Sequence, residues 1–263
     1  MSTEPAIRRP RRLGRVLTAM VTPFDAKGAL DLDAAQRLAR WLAQRGNDGL
    51  VLAATTGEAS TLSDDERRDL IRAVSDAVTV PVIAGTGSND TAHTVMLTRE
   101  AKSLGAAGVI VVAPYYSRPP QAGIEAHFRA AAAATDLPVM LYDVPVRTGR
   151  RVAREVLLRL FNDVPNIVAF KDATGDPPAA ASLIAQAGDR IDVYSGDDTF
   201  TLPLASVGAV GVVGTSTHWA APQFQQMFAA LARGHIGEAI RINQQLIESF
   251  EFINSDTSVF SMS

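Results

Sequence analysis

Eight short apolar runs recur along the chain, each rich in β-branched residues. They read VLTAMVTP from residue 16, LVLAAT from 50, VPVIAGTG from 80, GVIVVAP from 108, PVMLYDVP from 138, IVAFK from 167, IDVYSG from 191 and VGVVGT from 210. None alternates apolar with polar residues. A run that is apolar throughout suits a strand covered on both faces, as in a parallel sheet. Successive runs begin mostly 24 to 34 residues apart, tightening to 19 at the last step, which is the length of one βα unit.

Helical patterns fill the intervals. Ala34, Leu38, Trp41 and Leu42 share one helical face, and Gly46 follows as a stop. Ser63 and Glu66 form a capping box, in which hydroxyl and carboxylate each satisfy a backbone N–H that the helix leaves unpaired. Leu70, Val74, Ala77 and Val78 then make a buried stripe. Leu97, Ala101 and Leu104 repeat it before Gly105 closes the helix. Eight such units predict an α/β chain folded as a TIM (β/α)8 barrel, which takes about 250 residues and so consumes most of the 263 present. An open doubly wound sheet would place G-x-G-x-x-G after its first strand, and VTPFDAKG supplies none. The barrel is expected over 13–234, after a basic tail over 1–12. Helical stretches are expected at 221–233 and 236–253, the second within a partial C-terminal segment over 235–263.

Composition removes several classes of function. A net charge of −3 recommends no nucleic-acid or membrane surface. The stretch RRPRRLGR at 8–15 has five arginines that suit an anion, but a basic terminal tail is more often simply solvated. There is no cysteine, which excludes disulfides and thiolate metal sites. No apolar stretch approaches the roughly 20 residues of a membrane helix, so the cytoplasm is the expected compartment.

In a barrel the chemistry sits where the strands end. The residues there are Thr55 and Thr56, Tyr115 and Tyr116, Tyr142, Lys171, Ser195 and Gly196, and Thr215. Lys171 is the informative one. A free lysine, with a pKa near ~10.4, is neutral in about one copy in 2,500 at pH 7. Burial disfavours the ammonium and brings the pKa toward ~7–8, and a neutral amine in a dry barrel mouth attacks carbonyls to form a Schiff base. The competing reading is a lysine paired with Asp172 or another carboxylate. Tyr142 closes the neighbouring strand, where a phenol can move the protons that imine formation requires; alternatively it is a core tyrosine with a satisfied hydroxyl. Gly57 and Glu58 follow the threonine pair, so a turn there can aim two hydroxyls and backbone N–H groups at a small carboxylate. Arg147, five residues past Tyr142, suits a carboxylate clamp, or is one more solvated loop arginine.

Other features point less far. Tyr115 and Tyr116 precede SRPP and suit a subunit contact or an ordinary aromatic surface. GTGSND at 85–90 lacks a P-loop lysine and reads as a turn with a helix cap. Asp197 and Asp198 could bind a metal but read better as caps for a helix starting near 199. The histidines at 93, 127, 218 and 235 are too scattered for a metal-dependent aldolase.

TTGEAST at 55–61, APYYSRPP at 113–120, LYDVPVRTG at 141–149, FKDATG at 170–175 and SGDD at 195–198 occur in the order seen in one family. On these motifs the sequence resembles the dihydrodipicolinate synthases, within the pyruvate-dependent lyases and aldolases that include N-acetylneuraminate lyase. The likeness runs from about residue 13 to 254. It implies that Lys171 forms an imine with pyruvate, with no metal or organic cofactor. It implies a proton relay of Tyr142, Thr55 and Tyr116, the last reaching in from the other subunit of a homodimer or homotetramer. Thr56 would bind the pyruvate carboxylate, Arg147 the carboxylate of aspartate semialdehyde, and Gly196 and Val213 would line the lysine's surroundings.

The likeness also implies differences. Ala54 stands where the family usually has glycine. Ala59, Asp64, Arg67 and His93 replace the usual residues of the lysine-inhibited members' effector pocket, while Asn89 and Tyr115 remain, so weak or absent lysine feedback is expected. Family members continue past FEFINS with helical sequence, whereas here DTSVFSMS follows, so a shortened C-terminal helical extension is expected. Two other readings stand beside the synthase: an aldolase or lyase of a 2-keto-3-deoxy sugar acid, and a truncated, non-catalytic paralogue. The threonine pair and Arg147 favour the synthase over the first.

Overall fold

The computed structural model describes residues 13–255; the tail over 1–12 and residues 256–263 lie outside them. Each of the eight apolar runs carries a strand: β1 Val16–Ala19, β2 Gly49–Leu52, β3 Val82–Gly85, β4 Gly108–Val112, β5 Val139–Asp143, β6 Ile167–Asp172, β7 Asp192–Ser195 and β8 Gly211–Gly214. All neighbours pair in parallel, and β8 returns to β1, so the sheet is a closed (β/α)8 barrel. The helices are α1 Leu32–Gln44, α2 Asp64–Ala77, α3 Thr91–Ala101, α4 Gln121–Ala133, α5 Pro145–Thr148, α6 Arg154–Asp163, α7 Pro177–Ala187, α8 Thr201–Ser206, α9 Thr217–Ala232, α10 Ile236–Gln245 and α11 Ile247–Ile253.

Successive strand residues face opposite sides, so each run feeds two apolar layers, which is why it is apolar throughout. Leu50, Leu52, Val109, Leu141 and Phe170 face outward into a layer shared with Phe128, Leu157 and Leu160 of the helices. Leu17, Val51, Ile83, Ile110, Met140 and Tyr194 fill the interior. The Tyr194 hydroxyl donates to the carbonyl of Gly14, just before β1, at 2.8 Å. A Cβ on Gly211 would come within 2.8 Å of that ring, so glycine there makes room for the phenol that stops the lower end.

The helix starts follow their caps. The Ser63–Glu66 box forms as expected, and Asp31 and Asp90 accept from Ala34 and Ala92; each cap is worth about 1 kcal/mol. In α1 the buried face is Ala35, Ala39 and Leu42, one step round from the expected stripe. Trp41 is 39% exposed, with the Arg45 guanidinium 5.0 Å from its ring centroid, because alanines line the close approach to the strands. Helix α9 begins at Thr217, a turn earlier than expected, and runs through Pro222. Its first turn is held from outside: Thr217 Oγ1 donates to the Gly214 carbonyl, and the Asn47 amide donates to the Thr217 carbonyl. The stretch expected as one helix over 236–253 is two, broken at Leu246. Phe224, Phe228, Leu246 and Phe250 bind α9, α10 and α11 into one cluster. No helix among the described residues is long and apolar enough to cross a membrane.

Candidate active site

Strand register places the two central groups together. Tyr142 of β5 lies opposite Lys171 of β6, and both side chains point into the barrel near its upper rim. The Lys171 Nζ sits 4.2 Å from the Tyr142 ring centroid, on the ring face. Lys171 is 4% exposed and makes no hydrogen bond or ion pair with any described residue. Asp172, its sequence neighbour, faces the opposite side of the sheet, which removes the ion-pair reading for that residue. Gly196 explains how the lysine stem fits: a Cβ there would stand 2.8 Å from Lys171 Cγ and 3.0 Å from Cε. Val213 is buried in the same interior cluster as Tyr142.

Burial brings the Lys171 amine down to about 8. The anion of Asp198 works against that shift, and the Arg147 cation reinforces it. At pH 7 a pKa of about 8 leaves roughly one amine in eleven neutral, some 200-fold more than in a free lysine. Tyr142 moves the other way. Burial raises its phenol to about 12, opposed by a hydrogen bond with Thr55 and by the nearby Arg147 charge. A neutral phenol and a partly neutral amine in contact are matched to pass protons around a carbonyl carbon.

Above them lies a cavity of about 400 Å³, lined by Thr55, Tyr142, Val144, Arg147, Tyr115 and Arg67 among others. Lys171 does not line it; Tyr142 joins the two, since it lines the cavity and carries the amine on its ring. Arg147, in α5, is exposed at the rim, near enough for its charge to act on both central groups. The threonine turn is tightly held: a Cβ on Gly57 would lie 2.9 Å from the Met20 carbonyl, and the Gly57 carbonyl accepts from Thr22 Oγ1 at 2.7 Å. Left-handed backbone at Ala53 (φ 48°) and Glu58 (φ 55°) brackets this turn; each costs of order 1 kcal/mol or more. Thr56 Oγ1 meets Thr215 Oγ1 at 3.4 Å, which ties the end of β2 to the end of β8.

Tyr116 is the candidate that its own barrel does not use. It is 89% exposed, with φ 69°, on the loop after β4. Asp197 does not cap the helix: it accepts from Thr199 N at 2.9 Å in a turn ahead of α8, whose N-cap position is Phe200 with no side-chain cap bond. Asp198 does something else. Its carboxylate accepts from Thr215 N at 2.9 Å, from Ser216 N at 3.0 Å and from the Ser216 hydroxyl. It thereby fixes the loop after β8, and it is the nearest influence holding the Lys171 amine up. Sequence reasoning missed this role, because its partners lie 17 and 18 residues ahead.

Asp198→Asn keeps the shape but removes the charge and one acceptor. It is expected to move the pH midpoint of Lys171 nucleophilicity toward acid and to lower kcat by about ten- to a hundred-fold. A pH series of imine formation checks this; an unmoved midpoint would reject the role.

A closed barrel with a buried, partly neutral lysine at the strand ends, touching a phenol, is the arrangement that suits a class I Schiff-base enzyme of the carbonyl-condensing kind. Residues 12–262 match the model of the dihydrodipicolinate synthetase family, and the chain belongs to that family. It is 53% identical over 244 residues to the 4-hydroxy-tetrahydrodipicolinate synthase of Acidothermus cellulolyticus, covering 92% of this chain and 78% of that one. Among solved structures it resembles the dihydrodipicolinate synthase of Cyanidioschyzon merolae with lysine bound, at a TM-score of 0.92 and 42% identity, over 94% of this chain and 85% of that one. It also resembles the chloride-inhibited enzyme of Acinetobacter baumannii complexed with pyruvate, at a TM-score of 0.90 and 34% identity, over 95% and 86%.

Proposed function

We propose that this chain is a 4-hydroxy-tetrahydrodipicolinate synthase, a lyase that condenses pyruvate with L-aspartate 4-semialdehyde. The observation that carries the reading is the amine of Lys171, buried against the ring of Tyr142 with no carboxylate in ion-pair contact. The relatives' name favours it over a sugar-acid aldolase.

The neutral Lys171 amine adds to C2 of pyruvate. Tyr142, with Thr55 beside it, donates a proton to the departing hydroxyl, and one water leaves as the imine forms. Loss of a proton from C3 gives the enamine, with the iminium nitrogen as electron sink, so no organic cofactor is called for. The enamine carbon attacks the aldehyde carbon, and the new alkoxide takes a proton from the relay. The amino group of the second substrate then attacks C2, closes the ring and releases Lys171. Thr56 holds the pyruvate carboxylate and Arg147 that of the semialdehyde. Gly196 and Val213 shape the space around the lysine. Tyr116, solvent-exposed here, completes the relay in the mouth of a second copy, which makes a homodimer the working unit.

Borohydride reduction in the presence of pyruvate tests the reading. A pyruvyl adduct should appear on the peptide containing Lys171. Below pH 8 its rate of formation should rise about tenfold per pH unit, levelling off above, because only the neutral amine reacts and burial holds its pKa near 8. Labelling elsewhere, or none, would reject it.

Feedback by lysine is expected to be weak or absent. In the region where inhibited relatives bind the effector, His93 Nε2 and Asp64 Oδ1 pair at 2.8 Å. The Arg67 guanidinium is buried there, donating to the carbonyls of Gly85 and Ala59. A buried guanidinium there is expected to repel a second cation. Initial rates should change little in millimolar lysine; strong inhibition would overturn this.

A further inference from the structure

The residues that follow the two central groups point the other way. Asp143 and Asp172 are register partners, one step beyond Tyr142 and Lys171, so both face the helix layer. Both are buried, at 1% and 2% exposure. Asp143 Oδ2 accepts from Val152 N at 3.1 Å, whereas its Oδ1 finds no partner. Asp172 Oδ1 accepts from Thr174 N at 2.9 Å. Two neighbouring carboxylates are thus held in an apolar layer with no cation bonded to either. Natural proteins rarely leave a buried carboxylate oxygen unsatisfied, because its desolvation is then uncompensated.

Both aspartates line a cavity of about 350 Å³ between α6 and α7, on the outer side of the sheet from the candidate active site. Its walls include Phe170, Leu157, Leu183 and Val152. The charged groups around it are Arg151, Arg154 and Glu155, with Asp176 beyond. All are engaged at the rim: Arg151 with Asp176 at 2.8 Å, and Arg154 with Glu155 at 3.3 Å and with Ser182. The wall facing from α7 is Ala179, Ala180 and Leu183, which carry no charge. Gln121 is occupied by Arg151 O and Ala153 N.

We propose that this cavity is a second binding site, which takes the primary ammonium group of a small aliphatic amine between Asp143 and Asp172. An ammonium brings three N–H donors and one charge to two carboxylates that have no cation bonded to them. The apolar walls suit a short methylene chain. A divalent metal fits less well, because no group of three or more His, Cys, Asp or Glu converges among the described residues. Burial and the neighbouring Asp172 lift the Asp143 carboxyl to about 7, while Val152 N and Arg151 act against the rise. An amine, protonated throughout pH 6–8, therefore meets an ionised Asp143 only at the upper end of that range.

Calorimetry of the full chain with n-butylammonium chloride, in the absence of pyruvate, tests this. Saturable binding of one equivalent per chain is expected at pH 8, about tenfold weaker at pH 6, in proportion to the ionised fraction of Asp143. Asp143→Asn should abolish binding while still forming the pyruvate imine. Asp172→Asn should weaken binding and serves as the second variant if the first fails to fold. The proposal is overturned if wild type binds nothing at pH 8, which means that the pair merely shares a proton. It is equally overturned if 1-butanol binds as well, if ammonium chloride binds and butylammonium does not, or if both variants bind as wild type does. Failure of this test leaves imine formation at Lys171 unaffected, and the converse also holds.

Discussion

Lys171→Ala is expected to abolish the borohydride-trapped pyruvate adduct and to lower kcat by at least about 10⁴-fold, the scale of losing a covalent nucleophile. No neighbouring amine can substitute, because the described strand ends offer no other lysine. The companion variant Lys171→Met reads the cost of the site. The folded amine has a pKa of about 8 against about 10.4 unfolded, so between those values the unfolded chain binds more protons and stability rises with pH. Below pH 8 the full penalty is present, roughly 3 kcal/mol by this linkage. Lys171→Met should therefore be inactive and melt several degrees higher at pH 7, with an advantage that shrinks as pH climbs from 8 toward 10.4. A scan of melting temperature against pH checks the sign. A variant less stable than wild type at pH 7 would show that the lysine contributes packing rather than strain.

Tyr142→Phe is the second large effect. The ring stays under Nζ and the cavity keeps its shape, so the substitution isolates the hydroxyl. A loss of about 10² to 10⁴ in kcat is expected, the range for a positioned acid or base. Pyruvate should still label Lys171, only more slowly. Because burial holds the phenol near 12, wild type should show no loss of this donor between pH 6 and 10. A Phe variant within threefold of wild-type kcat would assign the relay elsewhere.

What could be read in advance follows from which interactions are local. The strands were legible because each run must satisfy two apolar layers, and that demand is written within five or six consecutive residues. Lys171 and Tyr142 were legible because a polar residue ending such a run has one place to go. Asp198 was not, since its three acceptor contacts reach across to the loop after the next strand. Trp41 misled because a helical stripe fixes a face only to within one position, and a large side chain then slides to the rim. Asp143 went unnoticed inside a quoted motif and Asp172 was considered only as a partner for Lys171: the period of two that sends their neighbours inward sends them outward, and nothing local signals a cavity behind a sheet. Tyr116 marks a different limit: its place on the loop after β4 leaves its hydroxyl in solvent within its own barrel, and the role proposed for it needs a second copy.

The phenol of Tyr194, anchored to the Gly14 carbonyl and given room by Gly211, makes the barrel a vessel with a single door. Traffic must then run in order. The keto acid enters first, and the water it sheds has to leave through the same opening before the second reactant can seat. Any later arrival stands between the covalent adduct and the exit, so a two-stroke kinetic pattern is a consequence of the stopper as much as of the chemistry.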